Sequence, residues 1–222
     1  PRLSKLTREG AWDASEGLAS VLNDNGGVAL KVSTSAIFKA GSDSYVLGAI
    51  AKQLCRLGES DIACFAGELV VEPSSSTIYE TSFYYLASDT IYRVSSIANE
   101  EPIFGSAGLA LNAALLDGTL GDLAAVEIDD AAYLMGLSSS FKVLLVRLHP
   151  DTHAPATYAV LDSTVDWGST TAHSVTFAGA YGFDERALFA AKEGGLFEVT
   201  LSTIPDACWH ADSSASLCSA TV

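Results

Sequence analysis

Apolar and polar positions alternate in short runs over most of this chain. From about residue 60 onward, brief stretches rich in Val, Ile, Leu, Phe and Tyr are separated by Gly, Ser, Asp and Pro. Residues 67–73, 81–88, 90–97, 123–128, 131–137, 141–148, 157–165, 173–180, 186–192 and 195–202 each fit a strand of this kind. Many short strands at close spacing predict a β-sandwich, barrel or propeller. "EPIFGSAGLALNAALLDGTLGD" at 101–122 interrupts them as a Gly- and Ala-rich loop, with a short helix near 107–116. The first sixty residues read differently. Residues 7–22 predict a helix with Thr7 as N-cap and Trp12, Leu18, Val21 and Leu22 on one apolar side. "NDNGG" at 23–27 stops it, and 27–41 reads as a strand. In 44–58, Val46, Leu47, Ile50, Leu54 and Leu57 keep helical spacing and Gly58 provides a stop. The expected organisation is a helix–strand–helix segment over 1–60 and a β-rich domain over 61–222.

The strands contain a repeat. Ile128–Val143 aligns with Phe183–Val199: Asp129 matches Asp184, Ala132 matches Ala187 and Tyr133 matches Leu188. A small-polar turn and a second strand follow in both. Residues 82–94 repeat the strand–turn–strand core, so Ser82, Ala132 and Ala187 mark corresponding places. A recurring hairpin of this length suits propeller blades, each of which must lean on its neighbours to bury its faces. An ordinary antiparallel sandwich is the alternative. The visible blades number three, or four if 35–50 is a hairpin rather than strand and helix, so a propeller would be incomplete. The expected fold class is therefore mainly β, with antiparallel, blade-like, propeller-like sheets and an N-terminal helical segment.

Composition narrows the setting. About half of the 222 residues are apolar and 18% are charged, which suits a folded domain with a substantial core. Twelve basic residues face 27 acidic ones, a net charge of −15. Nucleic-acid partners need a basic footprint and are not expected. No apolar run is long enough for a spanning helix, so no membrane insertion is expected. The N-terminus has no apolar leader, which leaves two readings: a signal peptide already removed, or a cytosolic chain that lost its Met before Pro1.

The four cysteines bear on that choice. Cys55 and Cys64 lie close in sequence, as do Cys208 and Cys218. Three pairings are available, and the two local ones are the simplest. Disulfides would place the chain in an oxidising compartment; four free thiols would not. Neither pair has the spacing of a zinc knuckle, so no cysteine-held metal is expected.

The search for chemistry finds no constellation with both the residue types and the spacing of an enzyme, and no cofactor. Asp129-Asp130 and Asp184-Glu185 occupy equivalent places in the repeat. Carboxylates so placed are ligands for calcium or turn residues that tolerate left-handed backbone, and the turn is the simpler reading. His149 and His153 sit four apart, but Pro150 forbids the helix that would present both together. His173 and His210 stand alone in sequence. Tyr84, Tyr85, Tyr92, Trp167 and Trp209 form either a carbohydrate-binding strip or core.

The segment from Gly179 to Val199, "GAYGFDERALFAAKEGGLFEV", resembles a propeller-like repeat of secreted algal and protist filament glycoproteins of the mastigoneme type. The cysteine-rich tail at 204–222 is similar to the stretches that follow such repeats. The likeness begins near Val126 and carries one more residue between Gly179 and Phe183 than the family pattern. It implies a non-enzymatic, extracellular, glycosylated protein that associates with itself or with other structural subunits. All four Asn residues lack the N-glycosylation sequon, so attached glycans would sit on hydroxyls, with Ser74, Ser75, Ser76 and Thr77 as candidates. The alternatives are a carbohydrate- or calcium-binding β module and a capsid-like assembly subunit.

Overall fold

The computed structural model describes residues 5–6, 12–13, 32–40, 43–57, 62–140, 142–162, 177–183, 186–191 and 195–219. The chain is mainly β, built of antiparallel sheets. It divides into two compact units, Pro1–Glu72 and Pro73–Val222.

In the first unit, β1 (Lys5–Leu6) pairs with β2 (Trp12–Asp13). The helix expected over 7–22 is therefore not formed at Trp12–Asp13; its other residues lie outside the described ones. Strands β3 (Val32–Ala40), β4 (Asp43–Ile50), β5 (Gln53–Leu57) and β6 (Ile62–Glu68) form an antiparallel meander in that order. The helix expected over 44–58 is thus a hairpin. Ile50 pairs with Gln53, and Ala51 at φ 52° reverses the chain in a two-residue loop. Left-handed backbone stops a helix at once. The hairpin buries Leu47, Ala49, Leu54 and Cys55. The division expected at residue 60 falls between β5 and β6, which are paired within this unit.

Among the described residues, the second unit contains three sheets. The first takes β7 (Ser75–Tyr79), β8 (Ser82–Ala87) and β9 (Thr90–Ser95), with β10 (Ile103–Phe104) and β11 (Leu109–Ala110) both on the outer edge of β9. A single turn of helix follows, α1 (Ala113–Leu116), inside the stretch where a short helix was expected. Asn112 caps it by accepting from the Ala114 N–H at 3.2 Å. The second sheet is β12 (Leu120–Ile128), β13 (Ala131–Ser138), β14 (Lys142–Leu148) and β15 (Pro155–Asp162). Its outer edge is extended by β19 (Cys218–Ser219), which runs parallel to β15. The third is β16 (Phe177–Phe183), β17 (Arg186–Ala191) and β18 (Gly195–Thr200). Two short 3-10 turns, Leu201–Thr203 and Asp206–Cys208, lead from β18 to the C-terminal segment.

The second sheet is buried on both faces, which explains why its strands read as nearly continuous apolar runs. Tyr133, Met135, Leu137, Val143, Leu145 and Leu161 face one cluster, with Val199 and Ile204 of the neighbouring segment. Leu134, Leu144, Val146, Tyr158 and Val160 face the other, with Tyr84, Leu86 and Ile91 of the first sheet. Each fully buried aliphatic side chain contributes roughly 1.5–3 kcal/mol. The first strands lie side by side: β12 packs against β7 on one side and β16 on the other. Within the second sheet, Gly136 on β13 leaves room for its β12 neighbours, since a Cβ there would meet Leu120 at 3.1 Å and Leu123 at 3.3 Å.

The hairpins correspond as the sequence repeat suggests, with one adjustment. Ser82, Ala131 and Arg186 each open the second strand after a two-residue loop, pairing with Tyr79, Ile128 and Phe183. The equivalent of Ser82 is thus Ala131 and Arg186, one residue before Ala132 and Ala187. Asp43, paired with Ala40, holds the same place in the first unit.

Candidate functional site

The acids of the repeat occupy a turn. Asp129 and Asp130 form the whole loop between Ile128 and Ala131, at φ 49° and 61°, and both are exposed. Two consecutive left-handed residues are what a type I′ hairpin needs, and Asp tolerates them better than most. Asp184 and Glu185 lie outside the described residues, between the paired Phe183 and Arg186. Among the described residues, no group of three or more His, Cys, Asp or Glu is arranged to hold a metal.

Both local cysteine pairs are disulfides. Cys55 and Cys64 are direct cross-strand partners on β5 and β6, with Cα atoms 3.9 Å apart. Cys208 and Cys218 are joined across 5.9 Å between Cα atoms, closing a ring over Trp209–Leu217. Two bonds of this kind suit an oxidising, extracellular or secreted setting. Among the described residues, no helix is long and apolar enough to cross a membrane.

The serine run proposed for sugars is largely internal. Ser75 and Ser76 open β7 and are buried, and the Ser75 hydroxyl accepts from the Leu123 N–H at 2.8 Å, tying β7 to β12. A sugar on either would have to displace that packing. Ser74 is exposed but donates to the Leu86 carbonyl at 3.2 Å, and Thr77 is half-buried. The expectation of glycans at Ser75 and Ser76 is corrected on this ground.

The aromatic residues are mostly core. Tyr84 and Tyr85 are buried, and Tyr85 stacks on its cross-strand partner Tyr92 with ring centres 5.2 Å apart. Trp209 is half-buried, tilted against Tyr133 at 6.2 Å, with the Arg147 guanidinium 4.2 Å from its ring centre. Trp167 and His173 lie outside the described residues.

Among the described residues, a polar cluster joins β7, β8 and β12 to the loop between β14 and β15. Tyr79 donates its hydroxyl to Glu127 Oε2 at 3.2 Å, and its ring meets His153 edge-on at 5.3 Å. His153 Nδ1 lies 3.2 Å from Glu80 Oε2, and Tyr84 donates to the His153 carbonyl at 2.6 Å. Burial first, then the negative charge of Glu127, pushes the Tyr79 phenol up to about 12. Burial pushes Tyr84 to about 12 as well, against the opposing pull of Arg93. Both phenols donate hydrogen bonds here, to Glu127 and to the His153 carbonyl. His149 accepts from the Asp151 N–H within its own loop at 3.2 Å.

A second polar centre was not visible in the sequence. Tyr158 is fully buried, yet its hydroxyl accepts from the Asn112 N–H at 2.7 Å and donates to the Asp212 carbonyl at 3.0 Å. Burial raises its phenol above the usual tyrosine range, partly opposed by the Asn112 N–H. Asn112 Nδ2 also donates to the Ala215 carbonyl at 3.2 Å. The backbones of Tyr158 and His210 bond to each other both ways, at 2.8 and 2.9 Å. One tyrosine thus joins the cap of α1, the edge strand β15 and the disulfide ring.

No family model matches the chain, and no curated protein matches it. The mastigoneme-type resemblance rests on its motif alone. Among solved structures, the chain is similar to PorZ, a surface component of the type-IX secretion system of Porphyromonas gingivalis. That match has a TM-score of 0.38 and 15% identity over 78% of this chain, which spans only 20% of PorZ. A computationally designed protein, Ika4, matches with a TM-score of 0.41 and 12% identity, over 79% of this chain and 94% of its own. Virginiamycin B lyase from Staphylococcus aureus matches with a TM-score of 0.40 and 11% identity, over 89% of this chain and 72% of its own. Likeness at this level assigns neither a family nor an activity.

Proposed function

We propose that this chain is a secreted, non-enzymatic structural module: an open series of propeller-like blades serving as a subunit of an extracellular filament or surface assembly. The observation that carries the reading is the packing of β12–β15, buried on both faces between segments of sheets built on the same hairpin. Side-by-side first strands are the arrangement of blades around an axis. A series that relies on neighbours for burial is suited to assembly. The polar groups that would have suggested chemistry have structural work instead: Asp129 and Asp130 in a turn, Ser75 between strands, Tyr158 at a junction. The turn geometry weighs against a calcium site at those acids. The bonded cysteines weigh against a cytosolic, capsid-like subunit.

The test is light scattering after size exclusion, with electron microscopy, on oxidised protein from a secreting host. Concentration-dependent oligomers, fibres or layers are expected. A monodisperse monomer up to high concentration overturns the assembly reading, and four free thiols by non-reducing mass spectrometry overturn the secreted one.

A further inference from the structure

We infer that the ring closed by Cys208 and Cys218 is a redox-gated clamp on the outer edge of β15: covering Leu161–Asp162 when the disulfide is formed, and opening them to strand pairing when it is reduced. This inference stands apart from the assembly reading, since it concerns the edge of a single chain.

The ring touches β15 at two places. Near its start, His210 bonds to Tyr158 in both directions. At its end, Cys218 and Ser219 lie parallel to Leu161 and Asp162. Both cysteines belong to the covering segment, so the disulfide does not fasten that segment to the sheet. It fastens one foothold to the other.

The two footholds are unequal. The first has support of its own: Trp209 on Arg147, the Asp212 carbonyl under the Tyr158 hydroxyl, and Ala215 buried and bonded to Asn112. The second is a two-residue strand with Cys218 buried in the same cluster as Leu161 and the exposed Leu217 before it. So short a strand stays paired because it is held from two sides, by the backbone from the anchored Ala215 three residues before it and by the disulfide at Cys218 itself. Opening the ring removes the second of these constraints, and from the second foothold alone. An uncovered edge then presents unpaired N–H and C=O groups, the usual template for an added strand.

The chemistry is thiol–disulfide exchange with a dithiol reductant. One thiolate attacks a ring sulfur, the other resolves the mixed disulfide, and two electrons and two protons pass to Cys208 and Cys218. The reductant leaves as its cyclic disulfide.

Hydrogen exchange with residue-level fragmentation tests this on the whole chain, oxidised and after dithiothreitol. A Cys208→Ser/Cys218→Ser variant that keeps Cys55–Cys64 serves as the second measurement. Expected is exchange faster by about tenfold or more at Asp162 and across 217–219, with Leu161, whose N–H faces β14, Tyr158, His210 and β13–β14 unchanged. Unchanged protection at Asp162 in both the reduced protein and the variant overturns the clamp. Loss of protection that extends through β13 and β14 in both overturns it too, because the bond would then hold the whole sheet.

Discussion

Replacing Tyr158 by Phe removes one oxygen from a fully buried side chain and leaves its ring in place. No cavity of note forms, so the cost is that of hydrogen bonds. Two are lost, at 2.7 Å from the Asn112 N–H and 3.0 Å to the Asp212 carbonyl. A typical internal bond is worth about 1 kcal/mol net, and a buried partner left unpaired costs somewhat more. Asp212 is exposed, so water replaces the hydroxyl at its carbonyl with little loss. Asn112 is half-buried, and its N–H carries the larger part. The expected destabilisation is about 1–2 kcal/mol, or roughly 2–8 °C in Tm for a unit of this size. Urea unfolding by fluorescence, with wild type and variant at matched slope, measures it. Hydrogen exchange should show the loss concentrated at Asn112 and in the ring from Trp209 to Leu217. A change below about 0.3 kcal/mol would mean that the hydroxyl joins nothing, and the junction described above would be wrong.

Other outcomes follow from the same structure. Asp129→Asn with Asp130→Gly should stabilise the second unit by about 0.5–1 kcal/mol in thermal unfolding, because that pair suits two left-handed positions better. Loss of stability would instead indicate that the carboxylates hold a ligand. Ser75→Ala should cost about 1–2 kcal/mol in urea unfolding, since it orphans the Leu123 N–H between β7 and β12; a neutral result refutes that bond. Tyr84, buried, has its phenol raised from 10.0 to about 12. An unfolded tyrosine releases its proton near 10 and so binds fewer protons than the folded one between those values. Stability is therefore fully present below about pH 10 and falls by roughly 2 kcal/mol as pH rises through 12. Tyr84→Phe should flatten that part of a pH–stability curve while lowering stability at pH 8; an unaltered slope would count against it.

Much of the β architecture was legible because its strands are bounded by Gly, Ser, Asp and Pro. The runs at 81–88, 90–97, 131–137 and 141–148 coincide closely with β8, β9, β13 and β14. The hairpin at 43–57 was not legible. Its loop is Ala51-Lys52, without the Gly, Asn or Asp that announces such turns, and its apolar residues fit both periods. Asp129 was readable as a turn residue because its side chain suits that backbone. Tyr158 was not readable as a junction. Its partners lie 46 and 54 residues away, and a tyrosine inside an apolar run signals only burial. Ser75 misled for a related reason: a serine-rich run reads as surface until a strand's packing turns part of it inward.

The two-faced burial of β12–β15 also governs how the chain reaches its fold. The hairpins of that sheet join neighbours in sequence, so closing them costs little loop entropy. Formed alone, they display apolar surface on both sides, a sticky intermediate rather than a stable one. Docking of the flanking segments is then the step that removes the aggregation hazard. Partial synthesis that ends before β18 would leave one of those sides bare, at Tyr133, Met135 and Leu145, and within reach of chaperones or of another nascent copy.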